Sequence, residues 1–192
     1  MGDVYSTILK RRTIRKYQQT PISMDILKKL VNAARLAPSA ANLQPLEYII
    51  VTSSDIRKKV FSTLAWAGYI TPLGIPKEGE EPAAYIVVLI NRNIVKEGGE
   101  RDVGAAIENM ILAALEEGIA SCWICSINRN KLREFLEIPP NLEIDSVLAL
   151  GYPAEKSVVE EFKGSVKYWK DEEGTLHVPK RKLEDIVHYE KY

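Results

Sequence analysis

The chain of 192 residues has no run of apolar residues long enough to span a bilayer and no net charge, with 26 Lys and Arg against 26 Asp and Glu. The first absence argues against a membrane helix and the second against long-range attraction to nucleic acid or anionic lipid. No signal peptide is visible, so the expected location is cytoplasmic. The two cysteines, Cys122 and Cys125, have no second pair with which to complete a zinc site. On a strand, residues three apart face opposite ways, so the expectation is two buried, reduced thiols rather than a disulfide. A thioredoxin-like pair should open a helix, whereas the run before Cys122 reads as a strand. No Gly-x-Gly-x-x-Gly follows a strand, which removes the main sequence support for a doubly wound dinucleotide fold. Neither a His-Glu-x-x-His motif nor a dense acidic or histidine cluster is present, so no metal is expected.

What is present is ordinary in bulk, at 46% hydrophobic and 27% charged residues, enough for one domain with a real core. Residues 3–10 read as a short helix with Val4, Ile8 and Leu9 inward. A clearer helix runs over 24–37, with Ser23 as N-cap, a stripe of Ile26, Leu27, Leu30, Val31 and Ala34, and Pro38 as stop. Tyr48 to Thr52 reads as a buried strand, and Ser53 or Ser54 then caps a helix. Residues 68–83, rich in Gly and Pro, form a loop. Ala84 to Ile90 is apolar on both faces and should be a central strand. A long helix over 100–117 ends at Gly118, Ser121 to Ile124 is a short strand, Asn128 caps a helix over 129–136, and Ser146 to Leu150 is a further strand. Residues 154–192 are charged, rich in Tyr and Trp, and weakly periodic, a tail that either dangles or wraps around something. No repeat or linker divides the chain. Strands alternating with helices argue for an α/β sandwich.

Two stretches stand out chemically. Arg11-Arg12-Thr13-Ile14-Arg15 packs three guanidinium groups into five residues. Guanidinium is planar, permanently charged and suited to phosphate. Pro38-Ser39-Ala40-Ala41-Asn42-Leu43-Gln44-Pro45 is polar, uncharged and bounded by prolines, which suits donors aimed at a flat heteroaromatic ring. Together they point to a phosphorylated cofactor. The bland readings are a solvated basic face and an ordinary polar turn after a helix.

In order and spacing, four segments resemble the FMN-dependent nitroreductase family, which includes flavin reductases. They are Arg11 to Tyr17, Ala37 to Pro45, Ala149-Leu150-Gly151-Tyr152-Pro153, and Pro179-Lys180-Arg181 followed by His188 to Lys191. The resemblance implies an α+β fold, a three-layer α/β/α sandwich around a mostly antiparallel sheet. It also implies a homodimer whose C-terminal arm, here 154–192, crosses onto the partner subunit. Two FMN molecules would lie in the interface, and electrons would pass by a ping-pong route from NADH or NADPH to nitroaromatic, quinone or flavin acceptors.

Carried onto this sequence, the resemblance puts Arg11 and Arg15 near the phosphate or ribityl chain. Thr13 would offer its hydroxyl to the phosphate, and Arg12 would reach the ribityl chain or ring edge. Pro38, Ser39 and Ala40 match the segment at the flavin, and Asn42 matches a contacting residue. Gln44 would reach the FMN held mainly by the other chain, and Arg181 would close on the phosphate, with Lys180 the lesser candidate. Residues 121–126 match the region lining the ring but lack the family's Pro-x-x-Gly-like turn, which leaves the backbone donor unidentified. Trp66, Tyr69 and Trp123 are candidate lining residues, with core packing the alternative. No catalytic side chain is implied, because the flavin carries the redox chemistry. Two rival readings are a flavin-binding sensor or carrier without turnover, and a basic module for RNA or acidic protein. The neutral charge argues against the latter.

Overall fold

Eight successive residues of one strand, Ala84–Asn91, are buried on both faces or nearly so, and the molecule is layered around them. In the computed structural model, which describes residues 3–192, the chain order is α1 (Val4–Lys10), α2 (Met24–Arg35), β1 (Leu46–Val51), α3 (Ser54–Phe61), β2 (Ala84–Asn91), α4 (Glu100–Glu116), β3 (Ala120–Ile124), α5 (Arg129–Leu136), β4 (Leu142–Gly151), β5 (Ser157–Glu161), β6 (Trp169–Lys170) and β7 (Leu176–Lys180). The main sheet is antiparallel throughout, in the order β1-β2-β4-β3. Between Val88 and Leu89 the pairing skips Asp145, a bulge on β4.

Period-two alternation along β2 divides the core. Ile86, Val88 and Ile90 meet Leu27 and Leu30 of α2 and Ile107 and Met110 of α4 on one face. Tyr85, Val87 and Leu89 meet Val60 of α3 and Leu132 of α5 on the other. Helices therefore cover both faces of the sheet, the three-layer α/β/α arrangement that the resemblance implies. The helix ends follow from local chemistry. Ser23 and Asn128 accept from Ile26 N and Lys131 N at their N-caps. Gly118, at φ +71°, ends α4 in a left-handed turn in which Ile119 N donates to Ala114 O at 2.9 Å.

Three expectations need correcting. Val4, Ile8 and Leu9 point outward, 68%, 45% and 55% exposed, while Thr7 faces inward and donates its hydroxyl to Glu116 of α4. A seven-residue helix has room for one inward row, and the polar residue takes it. The strand expected over Tyr48 to Thr52 is an edge strand over Leu46–Val51 and is half-buried rather than buried, because only β2 flanks it. The weakly periodic tail forms a second, three-stranded sheet in the order β5-β7-β6, with β5 and β7 parallel and Leu176 buried.

Two of the motif segments meet at the end of the main sheet. Gln18 N donates to Tyr152 O at 2.8 Å and Ala154 N to Lys16 O at 2.9 Å. Tyr17 is fully buried against Gly151, and its hydroxyl donates to Ile14 O at 2.5 Å. A Cβ on Gly151 would sit 2.7–2.8 Å from Tyr17 ring and Cβ atoms, so the pair needs glycine for close approach. Burial pushes the Tyr17 phenol far above its ordinary pKa, so it stays a neutral donor.

Candidate functional site

The stretch Arg11–Arg15 leaves α1 and runs beside edge strand β3. Thr13 bridges Ser121 in parallel fashion, and Ile14 N donates to Ser121 O at 3.0 Å. Alternation then sends the side chains to different places. Arg11 and Arg12 line a groove of about 210 Å³ with Ser121, Pro153 and Ser157. Arg11 Nε stands 3.6 Å from Glu108 Oε1 on α4. Arg12 Nη1 donates to Leu9 O at 2.8 Å and Arg11 O at 2.5 Å, which caps the end of α1. Burial, then the neighbouring Arg11 charge, lowers the Arg12 pKa.

Arg15 enters a different cavity, of about 130 Å³, whose wall includes Trp66, Cys122, Trp123, Cys125 and Ser126. Two of the residues on this wall carry buried donors, Arg15 Nη1 and Trp66 Nε1, that have no hydrogen-bond partner. Buried N–H groups are nearly always paired, and leaving one unpaired costs about 1–3 kcal/mol, more when it is charged. Two in one cavity call for a ligand rich in acceptors. Cys122 is buried there, and desolvation raises its thiol to about 11 despite the Arg15 charge, so it is a neutral thiol at ordinary pH. Cys125 is exposed, contrary to the buried thiol expected, because it lies just past the end of β3 where the chain leaves the sheet.

The second motif lies elsewhere. Pro38, Ser39 and Gln44 line a cavity of about 150 Å³ with Arg35, Tyr48 and Asp102, next to β1. Asp102, buried in the first turn of α4, holds the turn: Ser39 Oγ donates to Oδ2 at 3.0 Å and Ala40 N to Oδ1 at 3.2 Å. Gln44 N donates back to Ser39 Oγ at 2.9 Å. Ala41, Asn42 and Gln44 all adopt positive φ, 50–55°, although none is glycine. Left-handed backbone at three positions in four costs free energy and persists because this network enforces it. Ala40 and Asn42 are exposed on the turn, and the Asn42 side chain makes no hydrogen bond. Burial, then Asp102, raises the Tyr48 phenol to about 12.

β1 and β3 are opposite edges of the sheet. At about 4.8 Å per strand, three strand spacings separate the two motifs by roughly 14 Å. Arg181 joins neither group. It follows β7, is exposed, and donates from Nη2 to Asp185 O at 2.6 Å. His177 stacks on Trp169 and donates from Nε2 to Asp171 Oδ2 at 3.1 Å, within and beside the small sheet. Among the described residues no cluster suits a metal ion, and no helix is long and apolar enough to cross a membrane.

Sequence reasoning names Trp66, Tyr69 and Trp123 as candidate lining residues and, through the resemblance, puts Arg15 near the phosphate or ribityl chain; of the three aromatics, Trp66 and Trp123 line the Arg15 cavity. It does not find Asp102, Glu108 or Glu155, whose Oε1 accepts from Arg15 N at 2.6 Å. An acid in the first turn of a helix, as Asp102 is, reads as a dipole partner, and nothing local says that it clasps residues 39–40.

The sequence matches the profile described as the nitroreductase family over residues 8–69 and 81–152. A protein of Archaeoglobus fulgidus, provisionally named an NADH dehydrogenase/NAD(P)H nitroreductase, is 33% identical, with both chains covered in full. A solved structure from Parabacteroides distasonis, provisionally given the same name, superposes with a TM-score of 0.75 at 24% identity and full coverage of both chains. A further structure, from Desulfovibrio desulfuricans and solved in complex with FMN, gives 0.72 at 22% identity, covering 100% of this chain and 99% of that one.

Proposed function

The chain belongs to the nitroreductase family of FMN-dependent oxidoreductases, and from that premise we propose that it binds FMN and passes electrons from NADH or NADPH to a small electrophilic acceptor. The observation that carries the reading is the pair of partnerless buried donors, Arg15 Nη1 and Trp66 Nε1, on two residues that line one cavity at the edge of β3. A flavin offers carbonyl, ring-nitrogen, ribityl and phosphate acceptors, which is the chemistry those donors lack.

The cavity volume, about 130 Å³, falls below the roughly 300–1,000 Å³ of pockets that enclose a small ligand. One chain therefore carries part of a site, and the Pro38–Gln44 turn at the opposite edge is a second part with nothing of its own to complete it. A two-fold dimer brings one copy's turn against the other's Arg15 cavity, giving two sites, each made by both chains. The outward Val4, Tyr5, Ile8 and Leu9 supply apolar surface for that contact.

Bound FMN would supply the redox chemistry, hydride acceptance from a nicotinamide alternating with electron donation to the acceptor in a ping-pong sequence. The chain's residues bind and orient. Arg11, Arg12, Thr13 and Arg15 present cationic and hydroxyl donors to the phosphate and ribityl chain. Pro38, Ser39, Ala40, Asn42 and Gln44 present a rigid turn to the ring of the flavin across the interface, and Arg181 reaches the phosphate from the arm. Trp66 donates to a ring acceptor. Cys122, held neutral, contributes packing rather than nucleophilic attack.

Anaerobic titration tests the proposal. FMN should bind the apoprotein, and NADH or NADPH should then bleach its visible band. Flavin that binds but stays oxidised with both donors would instead make the protein a carrier or sensor.

A further inference from the structure

The family profile leaves residues 70–80 and 153–192 unmatched, and these two segments meet each other above Arg15. Tyr69, at the edge of the first segment, packs on Tyr168 of the second with ring centroids 5.0 Å apart and planes tilted by 57°. The Arg15 guanidinium carbon lies 4.9 Å from the centroid of the same Tyr168 ring. Glu155 accepts from Arg15 N at 2.6 Å and from Lys170 Nζ at 2.6 Å, with both side chains of that ion pair nearly buried. Lys16 pairs with Glu80 at 2.9 Å. The small sheet is thus fastened to the Arg15 segment by one buried carboxylate and laid over the Arg15 side chain by one aromatic ring.

We infer that the β5-β7-β6 sheet is a cap that positions Arg15 for the cofactor, with Tyr168 as the positioning residue. The inference rests on the FMN reading above. Arg15 has a long, flexible stem, and an unheld guanidinium samples many rotamers that must be given up on binding. Two restraints fix it before the ligand arrives. Its main chain is held by Glu155, and its guanidinium carbon lies over the Tyr168 ring. Nη1 is left pointing at no protein acceptor. Cation–π contact suits this task because it uses the face of the guanidinium and leaves the in-plane N–H donors free. Tyr168 itself need not touch the flavin. The ring is the feature required, and its hydroxyl is not.

The test is FMN affinity of the apoprotein, read from quenching of flavin fluorescence, for wild type, Tyr168→Leu, Tyr168→Phe, Arg15→Ala and the Arg15→Ala/Tyr168→Leu double variant. Leu keeps apolar bulk without the ring's charge distribution, and melting curves identify any variant that is not folded. The expected result is a loss of about tenfold for Tyr168→Leu, a change within about twofold for Tyr168→Phe, and no further loss when Tyr168→Leu is added to Arg15→Ala. Equal affinity of Tyr168→Leu and wild type overturns the inference. So does Tyr168→Phe as weak as Tyr168→Leu, or losses from Arg15 and Tyr168 that simply add. Wild type with no affinity for FMN would overturn the flavin reading itself, a different failure from the three others.

Discussion

Arg15 and Glu155, 140 positions apart in sequence, are joined by a main-chain to side-chain hydrogen bond of 2.6 Å, and the other Glu155 oxygen receives Lys170. The carboxylate is the hinge between the Arg11–Arg15 segment and the small C-terminal sheet. Removing it strands a nearly buried ammonium, since Lys170 is 10% exposed at its side chain. Glu155→Ala should therefore cost about 3–5 kcal/mol, and Glu155→Gln, which still accepts hydrogen bonds, about 1–2 kcal/mol. Urea melts of the two variants measure the difference. Equal, small losses would mean that the ion pair contributes little.

Arg15 should show opposite signs for stability and binding. Its Nη1 is buried and unpaired in the free chain, so the native state without ligand bears a penalty that Arg15→Met removes. The apoprotein of Arg15→Met should be as stable as wild type or more so, while its FMN affinity falls by about 10- to 100-fold, as expected on losing a charge-assisted bond. A variant that lost stability and kept affinity would assign Arg15 to the core instead.

Gly151 is required by the close approach of Tyr17. A methyl group there meets three Tyr17 atoms at 2.7–2.8 Å, and Tyr17 cannot swing away because it is buried and bonded to Ile14 O. Gly151→Ala should destabilise by about 1–3 kcal/mol through overpacking. The companion Gly151→Ala/Tyr17→Phe variant should recover little, because the ring rather than the hydroxyl is in the way. Recovery on removing the hydroxyl would show the ring to be movable.

The sequence made the repeating parts of this fold legible and left the joints obscure. α2, α4 and α5 carry a 3.6-residue apolar period, and β2 and the second half of β4 are short apolar runs, so each is specified by its own residues, whereas Leu142 to Asp145, with two acids, extend β4 beyond the strand expected over 146–150. β5 to β7 are not. Val158, Val159, Glu160 and Glu161 mix exposed apolar and charged residues, and their pairing with residues 176–180 is parallel and remote. α1 misled for a related reason. Val4, Ile8 and Leu9 follow a helical stripe, but within one chain no core lies opposite that stripe. The candidate site divides the same way. Arg15 and Ser39 stand in contiguous motifs, whereas the partnerless Trp66 donor and the clasping Asp102 and Glu155 carboxylates exist only after folding.

The two cysteines should behave as different groups. Iodoacetamide should label Cys125 in the native protein and leave Cys122 unlabelled until the chain unfolds, because Cys125 is exposed and Cys122 buried. Cys122 also predicts an alkaline limb. Its folded pKa, about 11, lies above the ordinary 9.0. The unfolded chain loses this proton first, so the stabilisation is complete below pH 9 and is lost as pH rises through 11. The slope approaches about 1.4 kcal/mol per pH unit in that window. Cys122→Ala should flatten the part of the limb between pH 9 and 10, where the buried tyrosines have not begun to contribute. An unchanged limb in that range would place its origin in Cys125, whose thiol burial also raises.

The separation of the two motifs makes the shared-site proposal testable without knowing the acceptor. If Arg15 and the Asn42–Gln44 turn of one chain serve different cofactors, Arg15→Ala and Asn42→Ala/Gln44→Ala should each impair FMN binding alone. Refolding an equal mixture puts half the dimers into the mixed form. In that form both defects fall on one site and the other site is intact, so about a quarter of all sites should recover wild-type FMN affinity. Were both motifs to serve one cofactor within a single chain, no mixture would contain an intact site and no binding would return. The same mixture distinguishes a monomer, since chains that do not associate cannot complement. Recovery near a quarter would thus establish the dimer, the division of each site between chains and the assignment of both motifs in one measurement.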